Sequence, residues 1–479
     1  MTSTKIILIV LIIPFVAFAL PITINLDSLP GPQSNSMGDL AWDGRCVWVS
    51  TGNGIARTCD GGRTWSNYLE GKGFSAMIAA YGRILAAAAY DTTDDIPVGD
   101  GLYWTFSDSV SWHHLTPWQM TYIPSLSYYG LLSYDLAVGV FGDDTVIYSA
   151  NFYGGLSRSS DWGATWVNIV FEWGDSGAVK DTIIPEIKDS IRQFVIRTGS
   201  SNAYRFFAVT IDTSTSPPTV YAASALGIYS FQGDSFKRFL RYDGLTSNWC
   251  VALAVQYLSE GSVVWAGLRA VNSAVGDRNA ICYTTDGTTW DTLAMDFMCW
   301  NFAFSGDTAY FACDSGLFRS VAFGEPEKIE VYDPESSWPF PLSSMVSVLV
   351  VRGTLWVASE FGLARSTDGG ETFKVFLYRP EVAPGQKTYA FPSPFSPYIH
   401  SRMFFVFDNP VDGNVKLEIF DFALDVVYSC TKYRDAGRRA VIVWDGRDMD
   451  GEFPANGIYH YRITLPDGEQ LWGKFALIK

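Results

Sequence analysis

A twelve-residue phrase recurs along this chain, and that recurrence constrains the fold more than any other feature. Residues 54–65 read G-I-A-R-T-C-D-G-G-R-T-W, residues 155–166 read G-L-S-R-S-S-D-W-G-A-T-W, and residues 362–373 read G-L-A-R-S-T-D-G-G-E-T-F. Such self-similarity marks a repeat architecture, in which each unit buries its apolar faces against its neighbours. Weaker copies begin at Gly101, Gly227, Ala280 and Gly316, so seven units start at 54, 101, 155, 227, 280, 316 and 362. The copy ending at Trp290 is one residue short, and the copy at Gly227 has lost its D-x-G-x-T-W segment.

Each unit has the same upstream context. A-F-S-G-D-T-A-Y-F-A from Ala303 and V-S-V-L-V-V-R-G-T-L-W-V-A-S from Val346 are alternating runs broken by a short polar turn, the signature of a hairpin. The phrase adds a third strand and an Asp turn, and its final aromatic opens a fourth. Four strands in each of seven units predict an all-β fold: a seven-bladed β-propeller over residues 39–378, at about 49 residues per blade.

The D-x-G-x-T-W segment resembles the Asp box (BNR repeat) of sialidase-like and sortilin-like propellers. The resemblance implies a structural role for Asp60, Trp65, Asp161, Trp166, Asp286, Trp290, Asp368 and Phe373. The local physics agrees: the Asp carboxylate accepts turn N–H groups, Gly supplies a positive φ, and the aromatic wedges between sheets. A buried Trp removes ~150–250 Å² from water, which is about 4–6 kcal/mol of gross transfer free energy. Arg57, Arg158, Arg319 and Arg365 share one repeat position, so they read as repeat features rather than a converging cluster.

The short A–B turns and the Asp boxes (C–D turns) fall on one face of such a ring. The long insertions fall on the other: residues 91–100 and 270–279 as B–C loops, and 116–130, 171–202 and 333–344 as D–A connections. Insertions crowded onto one face mark a candidate binding face. Its candidate ligand-binding residues are Trp118, Tyr122, Tyr128, Tyr129, Glu172, Trp173, Asp175 and Trp338, since aromatics with polar edges suit glycan or protein contacts. The same aromatics also suit mutual packing of the loops.

The ends of the chain carry separate signals. Lys5, an apolar run from Ile6 to Ala19 and the small residues Ala17 and Ala19 read as a signal peptide over 1–19, followed by a lead-in over 20–38. After its cleavage no membrane span is expected. A Pro-rich linker over 379–390 precedes a last module over 391–479. That module carries F-P-S-P-F-S-P at Phe391, W-D-G-R-D-M-D-G at Trp444, N-G-I-Y-H-Y-R at Asn456 and a terminal Lys479. It resembles the Ig-like C-terminal sorting domain of type IX secretion cargo and the related flagellar hook-capping Ig domain. The resemblance implies a small β-sandwich, passage across an outer membrane and engagement of secretion machinery. Asp445, Asp448 and Asp450 lack EF-hand spacing and read as turn formers.

Composition narrows the function. A net charge of -16 excludes nucleic acid as the main partner. The seven cysteines have no C-x-x-C spacing; Cys46–Cys59 and Cys299–Cys313 are candidate pairs, with buried free thiols as the alternative. His113 and His114 sit on a presumed outer strand, and no zinc helix, nucleophile elbow or phosphate loop is present. No cofactor or metal is expected. The expectation is an exported, cell-surface or secreted, non-catalytic binding or scaffold propeller with an extracellular protein or glycan partner. The alternative is a glycoside hydrolase or lyase that uses acids of the 171–202 or 91–100 loops, where carboxylates ~5–9 Å apart would be required.

Overall fold

The computed structural model describes residues 31–91, 97–115, 122–123, 128–129, 132–152, 154–173, 179–184, 205–232, 235–333, 338–339, 344–360, 362–377, 387–398 and 402–479. Within them the chain is almost entirely β. Seven sheets of antiparallel strands in sequence order span 37–68, 73–115, 132–184, 206–239, 249–295, 299–329 and 345–376; these are sheets 1 to 7 below. Six have four strands, and sheet 3 has five.

The first strand of each sheet is the inner one: Met37–Trp42, Gly73–Ala80, Leu132–Phe141, Phe206–Asp212, Trp249–Leu258, Cys299–Ser305 and Met345–Val351. Each inner strand touches the next in order, and the seventh touches the first, so the arrangement is propeller-like and closes on itself. The third strands begin at Gly54, Pro97, Gly155, Gly227, Ala280, Gly316 and Gly362, matching the repeat starts except in sheet 2. The second strand of sheet 1, Val47–Thr51, is buried at every position, and those of sheets 6 and 7 at all but their first residue. Both of their faces meet a neighbouring sheet, which removes the need for an outward polar residue.

The recurrent turn holds its shape by local hydrogen bonds. Asp161 accepts from Thr165 N at 2.8 Å, Thr165 Oγ1 at 2.6 Å and Ser159 Oγ at 2.8 Å, while Gly163 N donates back to Ser159 Oγ at 2.8 Å. Asp60 and Asp368 repeat the pattern with Thr64 and Thr372. The hydroxyl and N–H of Thr372 hold the Asp368 carboxyl below its usual range, so it stays an acceptor rather than a proton donor. Trp166 Nε1 donates to Gly163 O at 2.9 Å, and its ring packs between sheets 2 and 3. Trp65, Trp290 and Phe373 each pack against the preceding sheet in the same way. In the shortened turn of Asp286, the Trp290 Nε1 is buried without an acceptor.

Two of the four arginines at the shared repeat position cross to the next sheet, whereas Arg319 pairs with Glu327 in its own sheet. Arg57 Nη2 donates to Ser107 O at 3.0 Å, and Arg365 Nη1 donates to Gly61 O. Cys46 and Cys59 flank the first two-strand hairpin of the phrase and are disulfide-bonded. Cys299 and Cys313 face each other in register but are free thiols; Cys299 Sγ sits beside a register shift and donates to Asn301 O at 3.3 Å.

The last module is a two-sheet sandwich. Strands Thr388–Phe391, Met403–Asn409 and Gly437–Trp444 face strands Val426–Arg434, Gly413–Phe420, Gly457–Thr464 and Gln470–Leu477. Phe405, Phe407, Leu417, Trp444, Tyr461 and Phe475 fill the core. Phe395 of the F-P-S-P-F-S-P segment is also buried there, and its backbone clasps the chain end through Ala476 O at 2.7 Å and Ile478 N at 2.8 Å. Asp445 and Asp448 accept turn N–H groups from Arg447, Asp450 and Glu452.

Two loop expectations need correction. Within the 91–100 connection every described residue is strand, because the second strand of sheet 2 runs to Asp91 and the third starts at Pro97. The 171–202 connection starts with strand: Val167–Trp173 continues the alternation of Val167, Ile169, Phe171 and Trp173, then pairs with Val179–Ile184 as the fifth strand of sheet 3. Residues 1–30 and 378–386, the latter including linker residues 379–386, lie outside the described residues.

Candidate functional site: a funnel at the mouth of the ring

Every inner strand carries a β-bulge near its start. The register shifts fall between Met37 and Leu40, Phe74 and Ala76, Ser133 and Asp135, Phe206 and Ala208, Cys250 and Ala252, Cys299 and Asn301, and Met345 and Ser347. A bulge leaves one residue unpaired and re-aims its side chain. The residues so displaced are Gly38, Ser75, Tyr134, Phe207, Val251, Trp300 and Val346, and all seven line one cavity of about 700 Å³. Phe152 and Arg269, the last residues of two second strands, and Glu360 complete its rim. The funnel therefore opens where the D–A connections enter and the B–C connections leave, at the end opposite the Asp turns.

Its two walls differ in chemistry. On sheets 3 to 5 the aromatics form a continuous surface, with ring centroids 5.3 Å apart for Tyr134–Phe152, 6.0 Å for Phe152–Phe207 and 5.4 Å for Phe207–Trp249. The Arg205 guanidinium lies 5.2 Å over Phe152 and 5.8 Å over Trp249, a cation–π arrangement. The opposite wall, from sheets 1, 2 and 7, presents Gly38, Asp39, Ser75, Ser344 and Glu360.

The residue after four of the seven bulges stitches sheets together. Asp39 accepts from Met77 N of sheet 2 at 3.1 Å, Asp135 from Val209 N of sheet 4 at 2.9 Å, and Asn301 from Val348 N of sheet 7 at 3.1 Å. Ser347 Oγ closes the ring by donating to Asp39 Oδ1 at 3.2 Å. Ala76, Ala208 and Ala252 hold the same register elsewhere and have no such group. Asp39 and Asp135 each keep some surface on the cavity, yet their carboxyl groups are enclosed by protein. Burial, with the charge of Asp39 adding to it, pushes the Asp135 carboxyl up to about 8; burial also raises Asp39. The pair is thus a structural staple in which Asp135 is neutral at pH 7.

The described lining of the funnel includes none of the loop residues expected to form the site. Trp118 and Asp175 lie outside the described residues. Tyr122 pairs with Tyr129, beside Ile123 with Tyr128, in a two-residue hairpin between sheets 2 and 3; Glu172 and Trp173 end the fourth strand of sheet 3; Trp338 pairs with Asp333 between sheets 6 and 7. These backbone positions are on D–A connections or at their start. The funnel residues carry no repeat signature in the sequence because the seven displaced positions comprise six residue types, with only Val251 and Val346 alike. The available signal was a slip in the inner-strand alternation, as in Phe74-Ser75-Ala76-Met77.

Comparison with known proteins adds the following. No family model and no curated protein matches this chain. Among solved structures, it is similar to PorZ, described as an essential bacterial surface component of the type-IX secretion system of Porphyromonas gingivalis, at 14% identity and TM-score 0.42, over 92% of this chain and 70% of that one. It is also similar to the GH74 xyloglucanase from Xanthomonas campestris, at 14% identity and TM-score 0.28, over 90% of this chain and 64% of that one.

Proposed function

We propose that this chain is an exported, non-catalytic seven-bladed Asp-box β-propeller that captures an extracellular ligand in its funnel. The observation that carries the reading is that all seven bulge residues converge on one cavity. A bulge interrupts pairing at some cost, and a single cavity lined by seven of them is the geometry expected of a binding mouth. The aromatic wall of Tyr134, Phe152, Phe207 and Trp249 gives flat apolar faces, and the hydroxyl and acidic wall gives polar partners. That combination suits the alternating apolar faces and hydroxyl edges of a glycan, or the side chains of a protein loop.

The carboxylates argue against hydrolysis. Asp39 and Asp135 each commit one oxygen to an N–H of a neighbouring sheet and the other to the N–H of the next residue in their own strand, so both carboxyl groups are held in the staple rather than aimed at a water. The last module, by its motifs and two-sheet sandwich, is read as the Ig-like sorting or attachment domain, and the N-terminal run as the signal peptide that starts export.

Glycan-array binding run beside a glycoside hydrolase screen tests this, using the full chain and its F207A/W249A variant. Binding that disappears in the variant, with no turnover in either protein, is the expected result. Turnover abolished by Asp135→Asn would overturn the non-catalytic reading. Cell fractionation tests the address: a protein confined to the periplasm would refute surface attachment.

A further inference from the structure

A second, smaller pocket of about 170 Å³ lies on the opposite face, at the seam where sheet 7 meets sheet 1. Trp42, Arg45, Arg352, Trp356, Arg365 and Thr367 are among its lining residues, and among the described residues no Asp or Glu lines it. Arg352 lies over the Trp42 ring at 5.2 Å and Arg365 near the Trp356 ring at 6.0 Å. Arg352 Nη2 reaches Gly44 O at 3.4 Å, and Arg365 reaches Gly61 O, so both cross the seam to neutral carbonyls. Arg365 Nε is buried with no acceptor. Arg63, on the adjoining turn, is close enough to depress the proton affinity of Arg365 further, after burial.

This concentration of cations is out of keeping with a chain of net charge -16. Like charges gathered without a counter-charge cost stability, and a bound anion offsets that cost. Guanidinium forks match tetrahedral oxyanions through paired N–H donors. We propose that the seam between sheets 7 and 1 is a binding site for a phosphate or sulfate group, held by Arg45, Arg352 and Arg365. Sheets 1 and 7 share no strand, and their seam rests on side-chain contacts such as Trp65 against Trp356 at 6.3 Å. An oxyanion bound there ties the ends of the ring together.

Thermal unfolding of the full chain, titrated with inorganic phosphate, inorganic sulfate and glucose 6-phosphate against sodium chloride of equal ionic strength, tests the proposal. A saturable rise in Tm is expected with phosphate, and at ten times Kd the folded-to-unfolded ratio should grow about tenfold. R45Q/R352Q should abolish the rise, and R45K/R352K, which keeps charge but loses the fork, should weaken it. Tighter binding of glucose 6-phosphate would assign the group to a sugar ester; equal affinity would assign it to the free ion. The F207A/W249A variant should leave the rise intact, separating this site from the funnel. No saturable effect beyond chloride, or an equal effect in R45Q/R352Q, overturns the proposal.

Discussion

Replacing Asp135 with Asn should change stability with opposite signs at the two ends of the pH range 4 to 8. In the folded chain the carboxyl is raised to about 8 by burial and by Asp39, from an ordinary aspartate value of 3.8. Between those values the unfolded chain has lost the proton that the folded chain still holds. Stability from this group is therefore complete below pH 3.8 and falls as pH rises, levelling off above 8. At pH 7 the loss is at most about 4 kcal/mol, from roughly three units at 1.36 kcal/mol each, and solvent on the cavity side screens part of it. Asn carries no such penalty. It keeps one acceptor oxygen, as Asn301 does for Val348 N in sheet 6. It cannot serve both Leu136 N, at 2.8 Å, and Val209 N, at 2.9 Å, so it forfeits one hydrogen bond, about 1 kcal/mol. The variant should thus be about 1 kcal/mol less stable than the parent near pH 4, and about 2–3 kcal/mol more stable at pH 7. Urea denaturation of both proteins at pH 4, 5.5, 7 and 8 reads the difference directly. A variant-minus-parent difference that is flat across that range would refute the assignment of Asp135 as a neutral staple.

Three further outcomes are expected. Trp166→Ala should cost about 3–5 kcal/mol by equilibrium denaturation, because a ring only 3% exposed is removed from between two sheets, whereas Asp161→Ala should cost about 1–2 kcal/mol from its turn alone. Reduction of Cys46–Cys59, which closes a 13-residue span, should lower stability by about 3 kcal/mol; the same reductant should leave a C46S/C59S variant unmoved, since Cys299 and Cys313 are already thiols. Phe207→Ala alone should weaken ligand capture by the funnel with little change in Tm, because Phe207 sits at an unpaired bulge position, whereas Phe206→Ala, in the buried core beside it, should lower Tm.

Much of the local fold was legible because its causes are local. A hydroxyl, an Asp and a Thr within seven residues close each recurrent turn by themselves, so Thr58, Asp60 and Thr64 announce their geometry in the sequence. Strand alternation does the same for the hairpins. The fifth strand of sheet 3 was hidden because the aromatics Phe171 and Trp173 read equally well as loop contacts or as a continued strand. The candidate site was legible only as a direction: away from the Asp turns. The side chains that line the funnel come from bulges, and a bulge depends on how two strands pair, which residue types alone do not reveal.

The sequence by itself determined the repeat, its number of copies, the turn chemistry and the sign of the surface charge, since each follows from neighbours in the chain. The tertiary structure alone decided what meets across the ring. Asp39 and Ser347 are 308 positions apart, yet they share a hydrogen bond at the closing seam. Arg365 reaches Gly61 only because the last sheet returns to the first. Seven residues of six types line one mouth because ring closure brings equivalent backbone positions together, whatever side chain each position carries.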